Sequence, residues 1–135
     1  MAKFGYHRLM KHKWEWVDGD YLPFYEFKCK PTILQVWTEW AEGWDGHLSV
    51  CELTEHWGAS WRRNIGGKKT EFGRRKKVVD LIETLAKRTR WNLSRALRFI
   101  EDNYSGRFDS ARKFHQFLSQ GGEAEVLATA TAQFQ

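Results

Sequence analysis

The sequence predicts an all-α domain, a compact bundle of four to five short helices. Two observations support this fold class. In several segments the apolar residues recur every three or four positions, as they do along one side of an α-helix. Capping residues precede these segments and glycines follow them, and the connections are short. Short connections favour helices that pack on their neighbours along the chain.

The N-terminal third lacks helical spacing. Residues 12–17 and 21–27 flank Asp18-Gly19-Asp20, a sequence typical of a hairpin turn. Proline lacks the N–H that a central strand donates, so Pro23 limits the second arm to an edge strand or plain extended chain. We therefore expect a loop or a weak hairpin in this region.

The first predicted helix, 33–42, begins after Pro31-Thr32 and ends before Gly43. Its apolar residues form a single stripe that must pack on another element. The stripe consists of Ile33, Val36, Trp37, Trp40 and Ala41.

The second predicted helix, 50–57, follows the sequence Ser49-Val50-Cys51-Glu52, which has the form of a capping box. Gly58 ends it. The residues from Gly58 to Lys69 should form one helical turn and a flexible hinge at Gly66-Gly67.

Three more helices follow in the second half of the chain. Thr70 is the expected cap of a long helix that ends near Arg88. Asn92 caps the next helix, whose apolar residues from Leu93 to Tyr104 keep helical spacing. Asp109 should cap a short helix over 110–118, which stops before two glycines.

The length of 135 residues allows one domain. We expect a helical domain over residues 25–120, an N-terminal extension or weak hairpin over 1–24, and a flexible C-terminal tail over 121–135. No run of eighteen apolar residues or secretory signal occurs, so a soluble intracellular protein is expected.

Signals for catalysis and metal binding are weak. His47, Cys51 and His56, with Cys29 more distant, do not have the paired short spacings of structural zinc sites. Surface histidines, a buried thiol and two reduced cysteines are the simpler interpretation. No catalytic triad order, phosphate-binding glycine loop or flanked carboxylate pair is present. We expect no enzyme, no metal and no cofactor.

The distribution of charge indicates a function. The chain has 22 basic and 17 acidic residues, a formal charge of +5. The window from Arg62 to Lys77 alone contains eight basic residues and one acid, Glu71, so the excess is local. Cations at the start of a helix oppose its dipole, whereas a polyanion bound there would reverse this penalty. The alternative is a solvated charged surface.

A second basic stretch lies between Thr84 and Ile100, which contains no acid. Its members are Lys87, Arg88, Arg90, Arg95 and Arg98. Together the two stretches favour binding along a nucleic acid.

Tryptophans recur on the predicted helices, as bulky aromatics do in Myb and homeodomain modules, whose recognition helix enters the major groove. We therefore expect a Myb/homeodomain-like, helix-turn-helix-like arrangement. Each tryptophan is better explained as a core residue than as a platform for single-stranded bases.

The order of these motifs resembles a fungal family, the C-terminal DNA-binding domain of the transcriptional activators of glycolytic enzymes. The resemblance covers residues 25–86 and rests on Val36-Trp37-Thr38-Glu39-Trp40, Gly43, the Ser49 cap, Trp57-Gly58, Trp61-Arg62-Arg63 and Phe72-Gly73-Arg74-Arg75-Lys76. It implies sequence-specific binding of duplex DNA in the nucleus. The residues after Trp91 lie outside it and suggest a family-specific extension or a dimerisation surface.

The predicted partner is double-stranded DNA, with other transcription regulators as further candidates and no membrane. We expect the helix near Thr70 to enter the major groove. The predicted DNA-binding residues are Trp61, Arg62, Arg63, Lys68, Lys69, Arg74, Arg75, Lys76 and Lys77. Arg75 shares the apolar stripe, so Arg74, Lys76 and Lys77 are better candidates for base contacts. The alternative is a protein-interaction or RNA-binding module that uses the same basic face.

Overall fold

The computed structural model describes residues 14–17, 19–62 and 67–134, and they are mostly helical with one small hairpin. The prediction of a mainly helical protein is confirmed at this level. The described residues fall into two compact units. The first unit takes the described residues up to Lys28 together with Thr38–Glu71, and the second takes Cys29–Trp37 and the residues from Phe72 onward.

The first unit begins with the hairpin. Strand β1 (Trp14–Val17) pairs antiparallel with β2 (Asp20–Pro23), with Trp14 opposite Pro23. Gly19 has a φ of 87°, a conformation that hairpin turns require and glycine adopts without strain. Pro23 occupies the end of its strand, as its missing N–H dictates.

Helix α1 (Ile33–Ala41) contributes residues to both units. Thr32 caps it as expected, since its Oγ1 accepts from the backbone N–H of Gln35 at 3.2 Å. Trp40 is only half-buried and Ala41 is exposed, so the buried stripe is shorter than predicted. Glu39 is buried instead, and its carboxylate accepts from the backbone N–H of Lys28 at 2.8 Å.

The first unit also contains helix α2 (Val50–Trp57) and a 3₁₀ turn over Ser60–Arg62. The predicted capping box of Ser49 and Glu52 is present in both directions. The buried residues of the first unit include Leu48, Val50, Leu53 and Trp61.

Helix α3 (Lys68–Thr89) is the longest element, and its first four residues belong to the first unit. It begins two residues before Thr70, so Thr70 is not its cap. The reason is that the backbone N–H of Glu71 already donates to the carbonyl of Gly67, at 3.0 Å.

The second unit continues with α4 (Leu93–Ile100), a π-helical turn over Glu101–Ser105 and α5 (Ala111–Phe117). Asn92 caps α4 as predicted, accepting from the N–H of Arg95 at 2.8 Å. The prediction that Asp109 caps α5 was wrong. Ser110 accepts from the N–H of Lys113, while Asp109 pairs with the Lys113 ammonium at 3.1 Å.

Residues predicted to form a flexible tail contain helix α6 (Glu123–Phe134). Gly121, with a φ of 94°, breaks the chain away from α5. A Cβ on Gly122 would lie 2.5 Å from the carbonyl oxygen of Phe117, so only glycine fits at this approach. Val126, Leu127 and Ala130 are buried, and burial of this face stabilises α6.

Candidate nucleic-acid interface

The start of α3 presents cations on the side of the helix that faces away from its buried residues. The buried side consists of Phe72, Arg75, Val78, Val79, Leu81, Ile82, Leu85 and Thr89. Lys69, Gly73 and Lys76 are exposed. Their spacing of four and then three residues aligns them on one ridge, which spans about 10 Å along the helix axis. We call these three residues the α3 ridge.

Gly73 is the unusual member of the α3 ridge. Its backbone is helical, and among the described residues a Cβ placed on it would meet no atom within 4 Å apart from the backbone of its own helix. Glycine inside a helix costs roughly 0.5–1 kcal/mol relative to alanine. Packing within the chain therefore does not require a glycine here. The missing side chain leaves helix backbone open to close approach between two lysines.

The cations beside the α3 ridge differ in exposure. Arg74 and Lys77 are half-buried. Arg75 is only 8% exposed, as its place on the apolar stripe predicted. The ammonium of Lys76 pairs with the carboxylate of Asp80 at 2.9 Å, an exposed pair one helical turn apart. Such pairs contribute about 0.3–0.5 kcal/mol, so a ligand can displace this one at low cost.

The basic part of α3 is short. Asp80 and Glu83 are exposed further along the helix and Glu71 is half-buried in the first turn, so the excess of positive charge is confined to residues 68–77, about three turns. The first turn of this segment is the part in which backbone N–H groups lack partners within the helix and the helix dipole is positive.

Lys68 has partners within the first unit. Its ammonium lies 3.6 Å from a carboxylate oxygen of Glu15 on β1 and 5.9 Å from the centre of the Phe24 ring. Its side chain is 19% exposed. These contacts hold the first turn of α3 against the hairpin, which gives Lys68 a structural function as well.

Trp61 and Arg62 form part of the support for this region. Trp61 is 3% exposed, and its ring lies 5.3 Å from that of Tyr25 in an edge-to-face arrangement. Its indole N–H donates to the hydroxyl of Thr54 at 3.3 Å. A side chain this buried supports the fold of the first unit.

Arg62 is half-buried and donates from Nη1 to the carbonyl of Gly58, the residue that ends α2, at 2.8 Å. Burial lowers the pKa of its guanidinium. Arginine has so high a pKa that the group still carries its charge at neutral pH. The sequence neighbour Arg63, also a predicted site residue, lies outside the described residues.

The second basic stretch lies in the second unit, at the end of α3 and along α4. All five of its cations are exposed: Lys87, Arg88, Arg90, Arg95 and Arg98. Lys87 and Arg88 occupy the last turn of α3, where cations interact favourably with the helix dipole.

Other site types find little support in the part of the chain that is described. No three histidine, cysteine or acidic side chains there are grouped to hold a metal ion. Cys29 and Cys51 are both exposed and neither forms a disulfide, so the prediction of a buried thiol was wrong. None of the helices described is both long enough and apolar enough to span a membrane.

Residues 25–103 match the family model for the C-terminal domain of the transcriptional activator of glycolytic enzymes. The chain belongs to this family. The match covers more than half of the 135 residues and confirms the resemblance found in the motifs. It also extends past Ala86, so α4 lies inside the family domain, contrary to the expectation that residues after Trp91 lie outside it. Neither a curated protein nor a solved structure matches the chain.

Membership in a family of transcriptional activators places the chain in transcription regulation, and this family is not a class of enzymes. The family domain includes the α3 ridge and the whole of the second basic stretch, since both lie within residues 25–103.

Two features of the interface were not predicted from the sequence. The role of Gly73 was missed, although a glycine between cations inside a predicted helix was a visible signal. The partner of Lys68, Glu15, was also missed, because the two residues are far apart in sequence and only the folded hairpin brings them together.

Proposed function

We propose that this domain binds duplex DNA sequence-specifically in the nucleus, with the start of α3 in the major groove. The observation that carries the proposal is the α3 ridge, an exposed pair of lysines on either side of an exposed helical glycine. A helix of ordinary diameter fits the major groove, which is about 12 Å wide. Recognition helices of helix-turn-helix proteins use their N-terminal residues to contact bases.

Gly73 supports this orientation. A glycine that the chain itself does not need lowers helix stability, so its value must come from a bound state. Between Lys69 and Lys76 it lets the helix backbone approach the edges of base pairs or a sugar more closely than any other residue. The cations on either side would then lie close to the phosphates.

The proposal divides the basic residues by role. Lys69 is best placed for phosphates, with Arg62, Arg63 and Lys68 as further phosphate contacts. Arg74, Lys76 and Lys77 are the candidates for guanine edges, the commonest base contact of arginine and lysine. Arg75 and Trp61 are buried, so in this proposal they position the others without touching DNA.

Selection from a pool of random duplexes tests this function. An enriched motif of defined sequence is the expected result, and recovery of unrelated sequences would contradict specific binding. Competition of the selected duplex with single-stranded DNA and with RNA separates the proposal from an RNA-binding module. Duplex DNA should compete best, whereas stronger competition by RNA would favour the alternative.

A further inference from the structure

The corner between α3 and α4 carries a second set of exposed cations. Arg90 directly follows α3 and has a φ of 62°, in the left-handed region that favours glycine. Its side chain is exposed. A glycine or asparagine would end the helix with less strain, so an arginine at this position serves something other than the turn.

Arg95 is held in place at the same corner. Its guanidinium carbon lies 4.6 Å from the centre of the Trp91 ring, within the range of a cation–π contact. Trp91 is itself buried and packs on the ring of Phe99, with 5.4 Å between centres. Because the platform is fixed, Arg95 loses less side-chain entropy on binding a phosphate than a free arginine would.

The backbone of this corner is also fixed. The hydroxyl of Thr89 donates to the carbonyl of Leu85 at 2.8 Å and accepts from the N–H of Trp91 at 3.3 Å. Asn92 caps α4 by accepting from the N–H of Arg95. Arg90 therefore projects from a rigid turn and not from a loose connection.

The local charge favours an anion. No acidic residue occurs between Glu83 and Glu101 in the sequence, and one oxygen of Glu101 accepts from the hydroxyl of Ser105 at 2.8 Å. Arg88 borders a groove that also contains the acidic residue Glu123, so it does not belong to the proposed anion-binding surface. Arg98 lies three residues after Arg95, on the same side of α4, and extends the positive surface.

We propose that Arg90 and Arg95, extended by Arg98, form a second surface that binds phosphates of the duplex, in addition to the contacts made by the start of α3. This inference rests on the proposed DNA binding. Arginine suits the role because its planar fork of N–H donors matches phosphate oxygens. The surface adds affinity and salt dependence, and it does not read bases.

Arg90→Gly gives a test in which folding and binding move in opposite directions. Glycine relieves the left-handed strain, so the melting temperature of the domain should rise. Binding to the selected duplex should weaken by roughly fivefold at 0.15 M salt, and the slope of log K against log salt should become shallower by about 0.9. Loss of a merely structural residue would not produce this combination.

Lys30→Gly is the matched control. Lys30 is also exposed, also carries a positive charge and also has a positive φ, of 47°. Its substitution should raise stability in the same way and leave the salt slope unchanged. Arg95→Gln should lower the slope as Arg90→Gly does, and Arg112→Gln, which removes an exposed arginine of α5, should not.

The outcomes separate the two proposals. If the wild-type domain binds the duplex and both Arg90→Gly and Arg95→Gln keep its slope, the second surface is wrong while DNA binding stands. If the wild-type domain does not bind duplex DNA at any salt concentration, both proposals fail. If the two variants lose affinity for RNA but not for the duplex, the assignment to duplex phosphates is overturned.

Discussion

Both ends of α3 carry cations, but the helix dipole destabilises those in the first turn and stabilises those in the last turn. Lys69 lies in the first turn, where the positive end of the dipole repels it. Lys87 lies in the last turn, where the negative end attracts it. Both side chains are exposed, so the same kind of residue opposes folding at one end and supports it at the other.

This difference shows which charges need a functional explanation. Lys87 and Arg88 stabilise the helix that carries them, so their presence says little about a ligand. Lys69 and Gly73 on the α3 ridge both lower the stability of the helix start. Two unfavourable residues on one exposed ridge support the proposal that binding, and not folding, accounts for the start of α3. Arg90 also lies at the end of α3, but its left-handed φ is unfavourable. Like Lys69, and unlike Lys87 and Arg88, it therefore needs a functional explanation.

The largest expected effect follows from removing charge at the start of α3. A variant with Lys69→Gln, Lys76→Gln and Lys77→Gln should bind the selected duplex roughly 150- to 2,000-fold less tightly at 0.1 M salt, since each of the three charged contacts contributes on the order of 1–1.5 kcal/mol. Glutamine is a good helix former, so circular dichroism should report an unchanged helix content.

A control of equal charge makes this result specific. A variant with Lys87→Gln, Arg112→Gln and Lys113→Gln also lowers the formal charge from +5 to +2. It should retain most of the affinity. Equal losses in the two variants would mean that overall charge, and not the start of α3, drives binding.

Gly73→Ala should have the next largest effect. Alanine should stabilise the helix by roughly 0.5–1 kcal/mol, because the added Cβ clashes with none of the described residues. It should weaken duplex binding by about tenfold, or 1.4 kcal/mol, if DNA approaches the backbone at this point. Chemical denaturation and a binding titration measure the two quantities on the same sample.

Gly106→Ala serves as the comparison for this substitution. Gly106 is exposed, has a right-handed helical backbone and has no atom within 4 Å of an added Cβ. Alanine there should leave binding unchanged. A Gly73→Ala domain that is more stable and binds as tightly as the wild type would remove Gly73 from the interface.

The smallest expected effect comes from single substitutions at the two ends of α3. Lys69→Gln should raise the free energy of unfolding by about 0.3–1 kcal/mol at low salt, and Lys87→Gln should lower it by a similar amount. Both changes should shrink at 1 M salt, where the Debye length is about 3 Å. Changes of the same sign in the two variants would contradict the role assigned to the dipole.

Much of the fold was predictable because its signals are local. The caps at Thr32, Ser49 and Asn92 lie within three residues of the N–H groups that they accept from, so short motifs identify them. The burial of Arg75 followed from helical spacing alone.

The remainder depends on contacts between distant residues. Glu39 can be buried because its carboxylate accepts a hydrogen bond from the backbone N–H of Lys28, eleven residues earlier in the chain. Helix α6 is stabilised by the burial of Val126 and Ala130, and its weak local pattern did not indicate a partner. The partners of Lys68 and the left-handed φ of Arg90 likewise arise only in the folded chain.

The salt dependence of binding to the selected duplex tests the central proposal most directly. Between 50 and 200 mM salt, log K for the wild-type domain should fall linearly with log salt, and the slope of the Lys69, Lys76 and Lys77 variant should be shallower by about 0.9, the share of the phosphate contact assigned to Lys69. A wild-type slope near zero, or identical slopes for the two proteins, would contradict the proposal that the start of α3 binds DNA.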